Sequence, residues 1–158
     1  MNRNDFDGVI VDLDGTMVDT LGDFDVALNR MLGDLGLPGV SRSFIENTVG
    51  KGSEHLIRST LAQVHGDMAL YDRAWQCYQR HYLAINGDFA PVYAGAAEGV
   101  AALKAQGLKL ACVTNKPLAF AQPLLAKKGL LALFAAVFGG DSFERKKPDP
   151  LPLLRACE

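Results

Sequence analysis

The sequence predicts an α/β fold in which a helical domain is inserted after the first strand of a parallel sheet. The stretch "GVIVDL" at 8–13 is a short, β-branched and almost continuously apolar run, typical of a strand buried on both faces. Residues 19–90 then show helical spacing without a convincing strand. From residue 91 onward, helix-like and strand-like segments alternate as in βαβ units. We therefore expect a sheet core at 1–18 and 91–158 and a helical domain at 19–90.

The inserted segment is predicted to contain several helices. Between residues 21 and 36, apolar residues recur every three or four positions, and "GLPG" ends the first helix. The same spacing continues through "SRSFIENTV", "SEHLIRSTLAQVHG" and "LYDRAWQCYQRHYLAING", with a break at Gly50 and Gly52. Three aromatic residues of the last segment fall at helical spacing and are expected in the core of the helical domain: Trp75, Tyr78 and Tyr82.

From residue 91 onward, the sequence alternates between helical and strand patterns. "AAEGVAALKAQG" predicts a helix, "LKLACVTN" a strand, "PLAFAQPLLAKKGL" a helix and "FAAVFGGD" a third strand. The final "LPLLRACE" has the pattern of an amphipathic helix. Strands joined through helices in this way form parallel sheets.

Composition excludes several classes of protein. The chain has 158 residues, which suffice for one core or one core with a small appendage. A formal net charge of −2 gives no reason to expect a nucleic-acid or membrane partner. The longest apolar run, "LLALFAAVF", is less than half a membrane span, and no signal peptide is indicated. Three widely spaced cysteines without a C-x-x-C pair suggest a reducing cytoplasm.

Acidic and polar side chains follow the first two predicted strands. Asp12 and Asp14 come at the end of the first, and Thr114 and Asn115 at the end of the second. Ligands of open α/β sheets bind beyond the carboxyl ends of the strands. Two residues apart on an extended backbone, the two aspartates share a side, where they need a cation or a shared proton. Mg²⁺ suits such oxygen ligands.

Three other motifs do not match the sequence, two of them at the acids and one at Lys51. A hairpin turn at "DG" requires a second strand, but helical sequence follows. An EF-hand loop requires Gly five residues after the first Asp, where Met17 stands. A Walker loop ending at Lys51 requires Gly at the position of Ile45. A purely structural role for the acids, as turn residues at a strand end, stays open at this stage.

Three motifs resemble those of the haloacid dehalogenase superfamily of phosphohydrolases. They are "DLDGT" followed by Asp19, "VTNK" at 113–116 and "KKPDP" at 146–150, in the order and spacing of that family. The helical insertion resembles the family's cap domain, so the resemblance implies a Rossmann-like parallel sheet core carrying a cap. More narrowly, these motifs together with "VGKG" resemble those of bacterial phosphoglycolate phosphatases.

The resemblance implies Mg²⁺-dependent hydrolysis of a small phosphomonoester, with 2-phosphoglycolate the best single substrate. Asp12 would attack phosphorus and form an aspartyl-phosphate. Asp14 would protonate the leaving group and later take a proton from water. Thr114 and the backbone of Asn115 would hold the phosphoryl oxygens, and Lys147 would offset negative charge. Asp12 and Asp14 would hold the metal.

The "VGKG" segment of the cap has two interpretations. By resemblance, it is a cap loop that faces the nucleophile, where Lys51 or Arg58 meets a substrate carboxylate and Gly50 and Gly52 permit close approach of the backbone. The alternative is a flexible joint in which Ser53 caps the following helix.

The family's fourth motif, with acids after a further strand, has no counterpart among the eleven residues that follow Lys147. We therefore expect a core that is incomplete at its C-terminal end, as in a partial form of a longer phosphatase. The metal would lack an acid ligand, and the first strand would form a sheet edge that invites pairing into a homo-oligomer. A catalytically impaired fragment and a sugar phosphomutase are the alternatives. A dehalogenase is disfavoured because it has no need for Asp14.

Overall fold

A computed structural model describes residues 6–158 and shows a three-stranded parallel sheet with helices. Strands β1 (Gly8–Val11), β2 (Lys109–Val113) and β3 (Ala136–Phe138) are arranged in the order β1-β2-β3. The predicted α/β class with a parallel sheet is confirmed. In the described residues the α-helices are α1 (Leu21–Asp34), α2 (Arg42–Thr48), α3 (Ser53–Gln63), α4 (Tyr71–Ile85), α5 (Ala96–Ala105), α6 (Leu118–Lys127) and α7 (Leu151–Cys157).

The register of the sheet aligns the carboxyl ends of its strands. Val11 of β1 lies opposite Cys112 of β2, and Val113 of β2 lies opposite Phe138 of β3. Residues 110–113 of the central strand β2 are buried, as expected for a strand with neighbours on both sides. Because the strands are parallel, the segments that follow all three of them leave the sheet at the same edge.

The chain divides into two compact units. The sheet unit comprises Met1–Asp19 and Pro91–Glu158, and the helical unit comprises Thr20–Ala90. Inside the sheet unit, the amide of Asp19 donates a 2.9 Å hydrogen bond to the carbonyl of Pro91. Val18 and Val92 form an antiparallel bridge beside it. The two segments that lead to and from the helical unit therefore run side by side.

The helical unit has an aromatic core between α1 and α4. Tyr82 lies 5.5 Å, centroid to centroid, from the ring of Phe24 and also 5.5 Å from that of Tyr78. All three side chains are buried, as predicted for the two tyrosines. Trp75 is only partly buried and contacts Tyr71 at a centroid distance of 6.2 Å. The tryptophan thus lies at the margin of the predicted core rather than inside it.

None of the helices in the described part of the chain is both long and apolar enough to cross a membrane.

Candidate active site

The loop after β1 presents two carboxylates. Leu13, between Asp12 and Asp14, is fully buried, and its carbonyl accepts a 3.2 Å hydrogen bond from the amide of Val18. Gly15 has a φ of 74°, a left-handed conformation that glycine adopts without steric cost. Its amide donates to the Val18 carbonyl at 2.9 Å. Anchoring Leu13 in the core therefore leaves the aspartates on either side of it at the strand's carboxyl end.

Asp12 is held by one backbone amide and one ammonium group. Its Oδ1 accepts a 2.8 Å hydrogen bond from the amide of Leu13 and lies 3.0 Å from Nζ of Lys147. The same Nζ donates to the carbonyl of Val113, at the end of β2, over 2.7 Å. The Asp12 side chain is 42% exposed, so a substrate can reach it. Lys147 thus joins the end of β2 to the carboxylate that follows β1.

Lys116 is a residue of this site to which the sequence interpretation gave no role. Its Nζ donates a 2.9 Å hydrogen bond to Oδ1 of Asp14. The Lys116 side chain is 2% exposed and the Asp14 side chain is 13% exposed, so the ion pair is largely buried. In "VTNK" a lysine follows a strand that ends at the same sheet edge as the acids, which places it near them but does not identify its partner. The resemblance assigned the offsetting charge to Lys147 alone.

Backbone and side-chain hydrogen bonds fix the loop after β2. The amide of Thr114 donates to the Phe138 carbonyl at the end of β3, over 3.0 Å. Oγ1 of Thr114, a buried residue, accepts a 3.2 Å hydrogen bond from the amide of Lys116. Asn115 donates from Nδ2 to the backbone carbonyl of Lys147, over 2.9 Å. The segments that carry "VTNK" and "KKPDP" are therefore bound to each other.

Two glycines after β3 allow its loop to pack closely against the loop after β2. The amide of Gly140 donates a 2.9 Å hydrogen bond to the carbonyl of Lys116. A Cβ atom at Gly140 would lie 2.3 Å from the carbonyl oxygen of Asn115, and one at Gly139 would lie 2.4 Å from the amide nitrogen of Leu118. Both distances are too short for any side chain, so this packing requires glycine.

Asp141, whose role the sequence left open between turn and active site, contacts the start of α6. Its Oδ1 accepts a 2.8 Å hydrogen bond from the amide of Leu118, the first residue of that helix. A carboxylate in this position satisfies an otherwise unpaired helix amide and complements the helix dipole. This contact gives Asp141 a structural function.

Cys112 in β2 is excluded as a nucleophile. Burial raises the pKa of its thiol to about 12, and the nearby negative charge of Asp12 adds to the shift. Because the thiolate is the reactive form of cysteine, a thiol with this pKa is inert near neutral pH. The thiol of Cys112 therefore does not compete with the carboxylates of the site as a nucleophile.

The residues expected to contact substrate from the cap lie in the helical unit. Gly50 and Gly52 have φ values of 111° and 89°, so both use the conformational freedom of glycine. The N-cap residue of α3 is Gly52, without a side-chain hydrogen bond, and Ser53 is the first residue of the helix. The alternative in which Ser53 caps this helix is therefore wrong. The serine is buried instead.

Arg58 in α3 contacts two residues of its own unit. Its Nε lies 3.1 Å from Oε1 of Glu54, and its guanidinium carbon lies 4.0 Å from the centroid of the Tyr71 ring. Lys51 is exposed. The expected approach of Gly50, Lys51 and Arg58 to the substrate stays a prediction. The structure brings together, within the sheet unit, the five other predicted site residues: Asp12, Asp14, Thr114, Asn115 and Lys147.

The donor set of Asp12 and Asp14 suits Mg²⁺. A carboxylate oxygen of Asp12 and the backbone carbonyl oxygen of Asp14 are the atoms that could hold the ion, and the Asp12 side chain is 42% exposed. Within residues 6–158, no group of three or more acidic, histidine or cysteine side chains is arranged to hold a metal ion. Mg²⁺ commonly takes one or two protein carboxylates and completes its octahedron with water and phosphate oxygens. Two aspartates therefore fit such a site.

Comparisons with known proteins converge on one family. The family model described as haloacid dehalogenase-like hydrolase matches residues 9–158. A phosphoglycolate phosphatase of Nitrosospira multiformis is 45% identical over 153 residues, which cover 95% of this chain and 67% of the relative. A plasmid-encoded phosphoglycolate phosphatase of Cupriavidus necator is 44% identical over 151 residues, which cover 94% of this chain and 65% of that relative. The chain thus spans about two thirds of the length of these curated relatives.

The fold has a close match among solved structures. A protein of Haemophilus somnus 129PT, described as a predicted phosphoglycolate phosphatase, superimposes with a TM-score of 0.91 at 31% sequence identity. The alignment covers 99% of this chain and 72% of the other. The fold of this chain is therefore one that a crystal structure already shows.

Proposed function

We propose, from the premise that the chain belongs to the haloacid dehalogenase-like hydrolase family, that its site hydrolyses a small phosphomonoester and that the substrate is 2-phosphoglycolate. One observation carries the proposal. Asp12, 42% exposed at the carboxyl end of β1, lies 3.0 Å from the ammonium group of Lys147. An accessible carboxylate beside a fixed positive charge is the arrangement that nucleophilic attack on a phosphoryl group requires. The names of the curated relatives support the choice of substrate.

Asp12 acts as the nucleophile. Oδ1 is held by the Leu13 amide and Lys147, so Oδ2 forms the bond to phosphorus as the bond to the leaving alkoxide breaks. The product of this step is an aspartyl-phosphate, which water then hydrolyses to free phosphate and the original carboxylate. Lys147 offsets the negative charge of both the carboxylate and the transferred group.

Asp14 acts as the general acid and base. It gives a proton to the alkoxide as that group departs, and it takes a proton from the attacking water in the second step. Asp14 lies two residues after the nucleophile in the sequence, and the residue between them, Leu13, is buried. The same residue therefore serves both half-reactions and is restored at the end of the cycle.

The loop after β2 supplies donors for the phosphoryl oxygens. Oγ1 of Thr114 already accepts a hydrogen bond from the amide of Lys116, which leaves its O–H group to donate to a phosphoryl oxygen. The side chain of Asn115 is bound to the Lys147 carbonyl. By the motif resemblance, the backbone amide of Asn115 serves as the second donor.

Asp12 and Asp14 would hold Mg²⁺. When bound, the ion supplies positive charge to the phosphoryl oxygens and screens the two carboxylates from each other. The protein's own contribution is to fix both aspartates with hydrogen bonds and ion pairs of 2.8 to 3.0 Å.

Selection of the substrate would fall to the helical unit. 2-Phosphoglycolate carries a carboxylate besides its phosphate, and Lys51 and Arg58, beside Gly50, supply cations for it. The present partner of Arg58 is Glu54, with side chains that are 48% and 56% exposed. Ion pairs this exposed contribute little stability, so the guanidinium can exchange Glu54 for a substrate carboxylate at low cost. The three cysteines are free thiols, which agrees with a cytoplasmic protein.

A panel of phosphomonoesters, assayed for free phosphate with and without Mg²⁺, tests the proposal. We expect 2-phosphoglycolate to be hydrolysed best, only with Mg²⁺, and Asp12→Asn to abolish phosphate release without unfolding the protein. Asp7→Asn is the matched control, because Asp7 is exposed just before the other end of β1. Phosphate release that survives Asp12→Asn would refute the nucleophile. Isomerised sugar phosphate without free phosphate would identify a mutase instead.

A further inference from the structure

Lys116 is buried to a degree that calls for an explanation. Its side chain is 2% exposed, against 23% for Lys147. Removing an ammonium group from water is costly unless a partner and hydrogen bonds compensate, and Asp14 at 2.9 Å is such a partner. A solvated surface lysine would give the loop after β2 the same net charge without this cost. The burial therefore points to a role that depends on position.

The backbone of Lys116 is fixed on both sides. Its amide donates to Oγ1 of Thr114 over 3.2 Å, and its carbonyl accepts from the amide of Gly140 over 2.9 Å. Pro117 follows directly and has a φ of −53°, which its ring restricts. The side chain thus starts from a rigid base between the loops after β2 and β3, and its ammonium group has little freedom to move.

The two lysines of the site differ in what they can do. Nζ of Lys147 is shared between Asp12 and the Val113 carbonyl and is partly exposed, so it lies beside the nucleophile and within reach of solvent. Nζ of Lys116 lies 2.9 Å from Oδ1 of Asp14 in a side chain that is 2% exposed, so moving it away from Asp14 removes an interaction that compensates for its burial. Lys147 thus serves the nucleophile Asp12, and Lys116 serves Asp14.

We propose that Lys116 is a positioning residue that fixes the carboxylate of Asp14 for proton transfer. Its ammonium group holds Oδ1, so Oδ2 is the atom that gives a proton to the departing alkoxide and takes one from the attacking water. The inference rests on the proposed function, in which Asp14 is the general acid and base. A displacement of about 1 Å at a reacting group can cost about 10²-fold in rate, which sets the size of the expected effect.

The kinetic test is a double-mutant cycle with 2-phosphoglycolate and Mg²⁺, because the leaving group of this substrate is an alkoxide that needs a proton. Lys116→Met removes the charge and keeps the apolar stem, and we expect kcat to fall about 10²-fold with little change in KM. Added to Asp14→Asn, the same substitution should cause no further loss, because Lys116 acts through that residue. Lys109→Met, at the exposed start of β2, should match the wild type. An unchanged kcat in Lys116→Met, or losses that multiply in the double variant, would overturn the inference.

Crystal structures of the wild type and of Lys116→Met give a measurement that does not depend on turnover. We expect Asp14 to stay within hydrogen-bond distance of Nζ in the wild type and to leave that position in the variant. An Asp14 side chain that keeps its place in the variant contradicts the proposal. If near-ultraviolet circular dichroism shows that Lys116→Met does not fold, the shorter neutral variant Lys116→Gln replaces it in both arms. A wild type without activity on any phosphomonoester refutes the proposed function, whereas the crystallographic arm still decides the role of Lys116.

Discussion

The amide of Gly87 donates a 2.7 Å hydrogen bond to Oδ2 of Asp23, and Asp23 is fully buried. The other oxygen of the same carboxylate accepts a 2.8 Å hydrogen bond from the amide of Phe89. Asp23 stands in the first turn of α1, and the two amides belong to the segment after α4. One carboxylate therefore binds the last residues of the helical unit to its first helix.

Replacing Asp23 by alanine should destabilise the helical unit strongly. The substitution leaves two amides without this acceptor, and each buried unsatisfied donor costs about 1 to 3 kcal/mol, so we expect a loss of about 2 to 6 kcal/mol. Urea unfolding followed by circular dichroism measures it. Asp72→Ala, an exposed aspartate in the first turn of α4, is the control and should cost less than about 1 kcal/mol. Equal losses in the two variants would contradict the proposed role of Asp23.

Gly140→Ala should disturb the active site. The added Cβ would lie 2.3 Å from the carbonyl oxygen of Asn115, so the loops after β2 and β3 must move apart. We expect a loss of about 1 to 3 kcal/mol in unfolding free energy together with slower phosphate release. Gly99→Ala in α5 meets no atom within 4 Å and should stabilise the protein by about 0.5 to 1 kcal/mol. The two substitutions should therefore change the unfolding free energy in opposite directions. A stabilised Gly140→Ala variant would contradict the close packing of the loops after β2 and β3.

The three cysteines should differ in reactivity. Cys157 is exposed, whereas Cys77 and Cys112 are buried, and the pKa of Cys112 is raised to about 12 by its burial. With a disulfide reagent at pH 8 we therefore expect one fast thiol in the folded protein and three in guanidinium chloride. Cys157→Ser should remove the fast phase. A second thiol that reacts as quickly in the folded state would show that α4, with Cys77, or β2, with Cys112, opens readily.

Asp34 should make stability depend on pH under acidic conditions. Its hydrogen bond from His81, at 2.6 Å, lowers the pKa of the carboxyl below the ordinary 3.8, and Arg80 adds to the shift. A lowered folded-state pKa gives stability that is present above the unfolded value and lost as the pH falls through the folded one.

Asp34→Asn provides the comparison. Its urea midpoint should lie below that of the wild type at about pH 5, and the difference should shrink as the pH falls below about 4. Because the cluster of Asp34, Arg80 and His81 lies at the surface, added salt should also reduce the difference in urea midpoint between the two proteins. A difference that is constant across this range would show that the carboxyl group does not titrate within the cluster.

Local sequence patterns predicted most of the fold. Apolar runs marked the strands, and three- and four-residue spacing marked the helices, because burial of one face imposes these periods. The start of α3 was the exception, since glycine and serine are both common at such positions and Gly52, rather than Ser53, takes the N-cap. Prediction is weakest for pairs distant in sequence. No local pattern shows that Lys116 meets Asp14, 102 positions earlier, because the pairing exists only once the strands are in register.

The hydrogen bond between the Asp19 amide and the Pro91 carbonyl has an evolutionary consequence. A chain that departs and returns at adjacent backbone positions can be lengthened, shortened or exchanged between them without changing the register of the strands on either side. Recombination between relatives at these two positions would transfer Thr20–Ala90 in one step. The carboxylates and lysines would be inherited unchanged, so lineages could acquire new substrates while keeping an old chemistry.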